Sequence, residues 1–246
     1  GDGEYWIVNS EDVKIQGRFM GTVYTYGLAA TQKVVVAGNF LNGHKIEVQP
    51  MEHAYGGHIL VDGKPVLTSF GTLKVCDGAT ITYDGIGELP DKAASKWESR
   101  IVHMELPQNI TFTVYRWGNY LDLKLEMAPL AKGQDGSCGN FNGDPSDDTT
   151  AAILSRGGRV ADKDLLFNEH AEISFTTEEA TMLRTNCAAE KLVEGELACR
   201  KQSPSATTVQ VNGCVFDFCF GMLEHALQTA KNYATPEDKK AAGFED

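Results

Sequence analysis

The pattern of apolar and polar positions divides the chain into a strand-rich part and a later helical part. From Val13 to about Leu125, short runs rich in Val, Ile, Thr, Phe and Tyr are separated by Gly and Asn. Runs of this kind predict β-strands, and the lack of long helical patterns between them predicts antiparallel pairing. We therefore expect a mainly β fold, built as an antiparallel β-sandwich or a barrel-like domain.

Several runs have the pattern of half-buried strands. One pair of short runs centres on Asp62-Gly63, and Asp-Gly is favoured where a hairpin turn requires positive φ. Residues 110–117 and 120–125 each alternate apolar and polar side chains on either side of a Gly-Asn turn, and residues 45–49 alternate in the same way. Period-two alternation is typical of a strand with one buried face, so we expect two hairpins with one apolar side each.

A helical pattern follows the strands. Thr176 is predicted to cap the start of a helix, with Glu179 as its capping-box partner. Further on, apolar residues three or four positions apart predict one stripe of an amphipathic helix that packs into a core. These residues are Phe216, Phe220, Leu223, Leu227 and Ala230. The predicted organisation is a β domain over residues 1–175, a helical module over residues 176–233 and a flexible tail over residues 234–246.

Composition and charge exclude several classes of protein. The 246-residue chain has a formal net charge of −12, and it lacks the basic stripe that a nucleic-acid partner would need. No apolar run reaches the roughly 18 to 20 residues of a membrane-spanning helix, so no transmembrane segment is expected. The chain opens with Gly1-Asp2-Gly3, without an initiator Met or an apolar leader, which indicates a processed and secreted form.

The cysteines favour disulfide bonds over a zinc site. No two of them have the Cys-x-x-Cys spacing that zinc ligands commonly have, and the closest pair is Cys214 and Cys219. An even number of cysteines in a secreted chain is typical of a disulfide framework. The cysteines expected to form it are Cys76, Cys138, Cys187, Cys199, Cys214 and Cys219. Asn109-Ile110-Thr111 is also an acceptor sequence for N-glycosylation, so we expect an extracellular glycoprotein.

A segment rich in carboxylate and amide side chains follows Cys138. Residues 139–148 contain two Asn and three Asp, together with two Gly. Calcium takes about six to eight oxygen ligands from carboxylates, amides and carbonyls, so this composition suits a calcium site. The EF-hand pattern does not fit, because Ala151 stands where that loop places its last Glu. A solvated turn is the alternative, since Asn, Asp and Gly also favour turns for backbone reasons.

Motifs in three places resemble the von Willebrand factor type D (VWD) domain and the module that often follows it. Residues 138–143, Cys-Gly-Asn-Phe-Asn-Gly, followed by Asp147 and Asp148, resemble the Cys-Gly-Asn-Phe-Asn-Gly segment of that domain. Near the N-terminus, residues 1–17 keep the register of the domain's opening motif, and Asn9 falls on the family's Asp. Residues 214–219, Cys-Val-Phe-Asp-Phe-Cys, are similar to the Cys-x-x-Asp-x-Cys core of the eight-cysteine (C8) module.

The resemblance implies a structural calcium ion at the acidic segment. The implied ligands are the side chains of Asn9, Asn140, Asn142, Asp147 and Asp148, with the backbone carbonyl of Asp144 in addition. It also implies a secreted structural, adhesion or assembly module that has no catalytic residues. Its partner would be another extracellular protein or a second copy of the chain. Amides in place of family acids lower the negative charge, so calcium binding is expected to be weaker than in a fully acidic loop.

The cysteine framework departs from the family pattern. Phe19 occupies a family cysteine position, and the four residues Asp-Gly-Ser-Cys at 135–138 replace a Cys-Gly-Leu-Cys motif that is linked to disulfide exchange. Covalent polymerisation is therefore not expected. The disulfides expected within this reduced framework are Cys187 with Cys214, Cys199 with Cys219, and Cys76 with Cys138.

The sequence offers no catalytic arrangement. Its six histidines are scattered, it has no His-Glu-x-x-His pair, and Cys138 has no identifiable His partner. Two alternatives to a structural module stay open. One is an oxygen-dependent enzyme of the luciferase type, because ostracod luciferases are built from VWD domains, and the other is a secreted carrier of a small apolar ligand. A pocket between the β domain and the helical module, lined by Trp6, Trp97 or Trp117, would favour the enzyme.

Overall fold

Eleven antiparallel strands, all within the described part of the chain, form one sheet in the computed structural model, and the sheet curls into a half-barrel. The structure describes residues 2–21, 29–85, 99–149, 152–153, 156–169 and 177–220, together with 223, 226, 227 and 230. The strands are β1 (Gly3–Asn9), β2 (Lys14–Gly21), β3 (Ala29–Ala37), β4 (Ile46–Val48), β5 (Ile59–Val61), β6 (Lys64–Val66), β7 (Gly71–Cys76), β8 (Ala79–Asp84), β9 (Arg100–Leu106), β10 (Ile110–Arg116) and β11 (Leu121–Glu126).

The strand order follows the chain closely. Along the sheet the order is β6-β5-β4-β3-β11-β10-β9-β8-β7, and β2 pairs with both β3 and β1. Neighbours in sequence are therefore mostly neighbours in space, as short connections require. The prediction of a mainly β, antiparallel fold is confirmed, and the single curled sheet corresponds to its barrel-like form.

Both predicted hairpins are confirmed. β5 and β6 pair Val61 with Lys64 around Asp62 and Gly63, whose φ angles are 52° and 75°. Positive φ at both central residues matches the right-handed twist of the strands, which is why Asp-Gly occupies this turn. β10 and β11 form the second hairpin, in which the last paired residue of β10 is Arg116.

The sheet packs its core on one face. Ile81, Met104 and Phe112 lie opposite one another on β8, β9 and β10, and all three are fully buried. Burying each such side chain contributes about 1.5 to 3 kcal/mol relative to leaving it exposed. β4 departs from the predicted alternation, because Glu47 is buried as well as its neighbours Ile46 and Val48. The Glu47 carboxylate accepts a hydrogen bond from Gln49 Nε2 at 2.7 Å, which satisfies one of its oxygens.

The chain separates into two compact units. The sheet unit contains residues 4–18 and 31–168, and the helical unit contains residues 1–3, 19–30 and 169–246. The described helices of the helical unit are α1 (Thr177–Asn186), α2 (Ala189–Gln202) and α3 (Thr208–Phe220). No helix within the described residues is both long enough and apolar enough to span a membrane.

The helical unit has its own small core. Leu183, Val211, Val215 and Phe216 are buried in it. Of the predicted apolar stripe, Phe216 and Ala230 are buried, whereas Leu223 is 47% exposed, so the assignment of Leu223 to the core is wrong. The predicted cap Thr176, the Glu179 side chain, the predicted boundary between residues 175 and 176 and the predicted tail over residues 234–246 lie outside the described residues.

Two disulfides cross-link the helical unit, with partners that differ from the expected ones. Cys187 pairs with Cys219, and Cys199 pairs with Cys214. Helices α2 and α3 are joined by the short connection 203–207 and contact each other closely. In such a hairpin the end of one helix faces the start of the next, so the pairs are nested and the expected crossed pairing is wrong.

The expected third disulfide is also wrong. Cys76 and Cys138 have free thiols. Cys76 ends β7, which is the last strand in the sheet order and packs Cys76 against the sheet core. Cys138 belongs to a segment that hydrogen-bonds to β1, where its backbone N–H donates to the carbonyl of Ile7 at 3.1 Å. The two cysteines are therefore held by different parts of the sheet, and a disulfide requires Cα atoms within about 7 Å.

Candidate metal centre

Strand β1 holds both sides of residues 139–148, which we call the acidic loop. Before the loop, the backbone groups of Asn9 and Asp135 exchange hydrogen bonds of 2.7 and 2.9 Å. After the loop, the N–H of Trp6 donates to the carbonyl of Gly158 at 2.8 Å. Both flanking segments therefore add to the edge of a strand whose other partner is β2. The segments on both sides of the acidic loop are therefore fixed to the sheet.

Two glycines allow this close approach. Gly136 has a φ of 121°, and a Cβ at this position would lie 2.6 Å from the carbonyl oxygen of Ile7 on β1. Gly139 has a φ of 86°, and a Cβ there would lie 2.9 Å from Oδ2 of Asp148. Positive φ and the lack of a side chain both favour glycine at such positions. The Gly136 and Gly139 positions therefore let the chain meet β1 and let Asp148 fold back over the start of the loop.

Side chains within the acidic loop support its backbone turns. Asn140 Oδ1 accepts from the N–H of Asn142 at 2.9 Å, and Asn142 Oδ1 accepts from the N–H of Asp144 at 2.7 Å. Asp144 Oδ1 accepts from both the hydroxyl and the N–H of Ser146. These are successive Asx turns, which explain why Asn and Asp recur at alternate positions. The hydroxyl of Ser146, and then its N–H, hold the pKa of Asp144 below its ordinary value.

Asp147 and Asp148 fold back onto the start of the loop. Asp147 Oδ2 accepts hydrogen bonds from the amide groups of Asn140 at 3.1 Å and Asn142 at 2.8 Å. Asp148 Oδ1 accepts from the N–H of Asn140 at 3.2 Å. Four of the six predicted ligand residues therefore converge. Within the described residues, Asp147 Oδ1 is buried and has no hydrogen-bond partner.

Arg156 supplies a positive charge to the same cluster. Its Nε and Nη2 atoms each lie 3.0 Å from a different carboxylate oxygen of Asp135, which makes a two-point ion pair. Its Nη2 also lies 3.6 Å from Asp148 Oδ1, its Nη1 lies 3.9 Å from Asp147 Oδ2, and Nη1 donates to the backbone carbonyl of Asp147. The hydrogen bond from Arg156 is the main reason that the pKa of Asp135 is below its ordinary value, and Asp135 in turn raises the pKa of Arg156.

Sequence reasoning missed both Arg156 and Asp135. Asp135 precedes the family-like motif, and Arg156 follows it by several residues, so no spacing rule links them. Only the pairing of both flanking segments with β1 brings the two side chains together. A basic residue near a segment with several carboxylates is the signal that could have pointed to Arg156. The sequence alone does not specify which basic residue makes the contact.

Asn9 contacts the cluster through its backbone rather than its side chain. Its Oδ1 accepts a hydrogen bond from Lys14 Nζ at 3.0 Å, and the same ammonium group lies 5.2 Å from the centre of the Trp6 ring. The described contacts of Asn9 join it to Lys14 and to the backbone of Asp135. None of these contacts joins it to Asp147 or Asp148. The amide oxygen that the resemblance assigns to calcium is thus engaged by a lysine in this structure.

The donor set suits a hard divalent cation. Asp135, Asp147 and Asp148 carry three negative charges and Arg156 carries one positive charge, so two negative charges remain. Buried polar atoms normally have a hydrogen-bond partner, and Asp147 Oδ1 has none within the described residues. The described residues contain no group of three or more His, Cys, Asp or Glu side chains that could hold a metal alone. Amide or carbonyl oxygens, which calcium accepts, would have to complete such a site.

A separate cleft of about 600 Å³ lies elsewhere on the sheet unit. His44 Nδ1 and Asp62 Oδ2 are 2.7 Å apart there, and Lys45 Nζ donates to the carbonyl of Leu166 at 2.8 Å. The hydrogen bonds from His44, and then from the N–H of Lys45, lower the pKa of Asp62. A His paired with an Asp could orient a base for a hydroxyl or thiol nucleophile, but the lining residues include no Ser, Thr, Cys or Tyr. The remaining lining residues are Ala37, Gly38, Asn39, Gly43, Gly63 and Asn168.

Two further predicted residues have clear positions. Asn109 is exposed in the turn between β9 and β10, with a φ of 56°, so its amide is accessible for glycosylation. Trp6 and Trp117 are buried, at 4% and 9% exposure, and the Trp117 indole N–H donates to Asp122 Oδ2 at 2.8 Å. Trp97 lies outside the described residues. The two described tryptophans are therefore core residues.

Comparison with known proteins adds no relative to this picture. No protein-family model matches the chain, and no curated protein matches it. The relation to the VWD domain therefore remains a prediction that rests on the motifs at residues 1–17, 138–148 and 214–219.

Proposed function

We propose that the chain is an extracellular, non-catalytic module of VWD type in which the acidic loop binds a structural calcium ion. The observation that carries the proposal is the buried Asp147 Oδ1, which has no partner among the described residues, within a cluster that retains two uncompensated negative charges. The Asp147 side chain as a whole is 35% exposed, but its Oδ1 atom is out of contact with solvent, and a bound cation would give that oxygen a partner. The bound ion would therefore stabilise the folded loop.

Asp147 and Asp148 are the charged ligands in this proposal. Asn140 and Asn142 already contact Asp147, and Asp144 would add its backbone carbonyl. Asn9 enters the proposed set through the resemblance alone, because its amide oxygen accepts from Lys14. Calcium binding only to the folded state would stabilise it by about 2.7 kcal/mol at one hundred times Kd.

Two features support the extracellular location. The helical unit contains two disulfides, and such bonds persist mainly in oxidising compartments. The acceptor Asn109 is exposed in a turn, as a glycosylated Asn must be. Secretion and glycosylation are therefore part of the proposal.

The proposed partner is another extracellular protein or a second copy of the chain. Helix α2 exposes Val193 and Leu197 at 62% and 68%, and these two residues lie one turn apart on the same side of the helix. Phe141, at the tip of the acidic loop, is 46% exposed. Val193 and Leu197 are the proposed contact, because adjacent exposed apolar side chains favour contacts between proteins more than isolated ones do.

No described feature favours the enzyme or the carrier of a small apolar ligand. Trp6 and Trp117, which would favour the enzyme if they lined a pocket, are buried in the sheet unit. The cleft beside His44 is lined by polar and apolar groups alike, and its lining residues include no hydroxyl or thiol side chain.

Calorimetric titration of the chelator-treated protein with calcium tests the proposal. We expect one ion per chain, and we expect binding to weaken strongly in Asp147→Asn and Asp148→Asn, which keep the shape of each side chain but remove its charge. Glu105→Gln is the matched control, because Glu105 is exposed on β9 and its substitution removes the same charge from another part of the sheet unit. Heat release that is absent in the wild-type protein, or equal in all four proteins, would contradict calcium binding at the acidic loop.

A further inference from the structure

Arg156 lies where the proposed calcium ion would need negative charge. We propose that Arg156 is an internal counter-ion that holds the acidic loop folded without calcium and weakens calcium binding by sharing Asp147 and Asp148 with the ion. This inference rests on the proposed function, because it concerns the same two carboxylates. It differs from it in assigning a role to a residue outside the family-like motif.

Arg156 fastens the end of the acidic loop to its beginning. The guanidinium makes a two-point ion pair with Asp135, whose backbone pairs with Asn9 on β1. The same guanidinium donates through Nη1 to the backbone carbonyl of Asp147. One side chain thus connects the segment before the loop to the segment that closes it. None of these contacts requires a metal ion.

Arg156 binds its three carboxylates unequally. Both contacts to Asp135 are 3.0 Å long, within hydrogen-bond range, whereas those to Asp148 and Asp147 are 3.6 and 3.9 Å. Contacts of the longer kind attract by charge but lack the hydrogen bond. A cation could therefore take over Asp147 and Asp148 while Arg156 keeps its ion pair with Asp135.

The Arg156 guanidinium lowers the negative charge that is available to a calcium ion. With Arg156 the three carboxylates retain two negative charges, and without it they retain three. The four side chains are 27% to 35% exposed, so solvent screens their interactions only in part. Removing Arg156 should therefore strengthen the attraction for calcium, and we expect roughly tenfold tighter binding, equivalent to about 1.4 kcal/mol.

The experiment measures two quantities for Arg156→Gln: thermal stability in chelator and calcium affinity by calorimetry. The expected result is a lower unfolding midpoint in chelator together with roughly tenfold tighter calcium binding. Arg156→Lys retains the charge but cannot form the two-point contact, so it should lose stability in chelator while keeping the weak calcium affinity of the wild type. Arg200→Gln is the control, because Arg200 makes an exposed ion pair with Glu196 on α2.

The outcomes separate this inference from the proposed function. Calcium binding to Arg156→Gln that equals the wild type, or is weaker, would overturn the shared-carboxylate role. If neither protein binds calcium, the proposed function is overturned, and stability in chelator alone then decides whether Arg156 holds the loop. In that case a lower midpoint for Arg156→Gln than for Arg200→Gln would support the internal counter-ion, and equal midpoints would overturn it.

Discussion

Different kinds of interaction stabilise the acidic loop and the helical unit. Two nested disulfides fix the ends of α2 and α3 covalently. The acidic loop depends on Asx turns and on the charges of Arg156 and its three carboxylates. Reductant breaks the first kind of bond, whereas acid, salt and competing cations act on the second. Reductant should therefore act on the helical unit, and added cations on the acidic loop.

Removing a disulfide should give the largest effect, and the effect should be confined to the helical unit. Cys199 and Cys214 are 15 residues apart and both are buried, so replacing both with Ser should cost about 3 kcal/mol, the entropy of closing a loop of that length in the unfolded chain. Hydrogen exchange should show faster opening in α2 and α3 and no change in β8 to β10. Faster hydrogen exchange in β8 to β10 would show that the disulfide stabilises more than the helical unit.

A substitution at Gly136 should have an intermediate effect, located at the acidic loop. An Ala side chain would meet the carbonyl of Ile7 and would also be strained by the φ of 121°, so Gly136→Ala should lower stability by about 1 to 3 kcal/mol. The matched variant is Gly133→Ala, whose φ is 78° but whose Cβ would have no atom within 4 Å. Chemical denaturation should show a larger loss for Gly136→Ala than for Gly133→Ala. Equal losses would mean that β1 does not hold the loop as described.

Acid should have the smallest effect, and its direction follows from Asp135. The pKa of Asp135 is lowered in the folded state, mainly by Arg156, so the ionised carboxylate stabilises the fold above its unfolded pKa of about 3.9. This contribution is lost as the pH falls below that value toward the folded pKa. The wild type should therefore unfold at a higher temperature than Asp135→Asn near neutral pH, and this difference in unfolding temperature, the gap, should narrow in acid. A gap that widens in acid would contradict the ion pair.

The sheet could be predicted from the sequence because its signals are local. Alternating side chains identified β10 and β11, and Asp62-Gly63 identified the turn between β5 and β6. Glu47 shows the limit of this approach, since alternation cannot reveal that both faces of β4 are covered. Leu223 shows a second limit, because helical spacing indicates which residues share a side of a helix but not which of them are buried.

The candidate site could be predicted only in part. The motif at residues 138–148 identified Asn140, Asn142, Asp147 and Asp148, and the structure brings these four together. Arg156 and the lysine on Asn9 could not be foreseen, because charge pairs between distant segments depend on how β1 collects them. The disulfide partners were missed because the antiparallel arrangement of α2 and α3 decides them, and cysteine spacing alone does not.

The most direct test of the calcium account is hydrogen–deuterium exchange of the acidic loop, compared in calcium and in chelator. We expect slower exchange in calcium for the backbone amides of Asn140, Asn142 and Asp148, with no change in α2 and α3, which serve as the internal reference. Exchange in the acidic loop that is the same with and without calcium would contradict a calcium site in this loop.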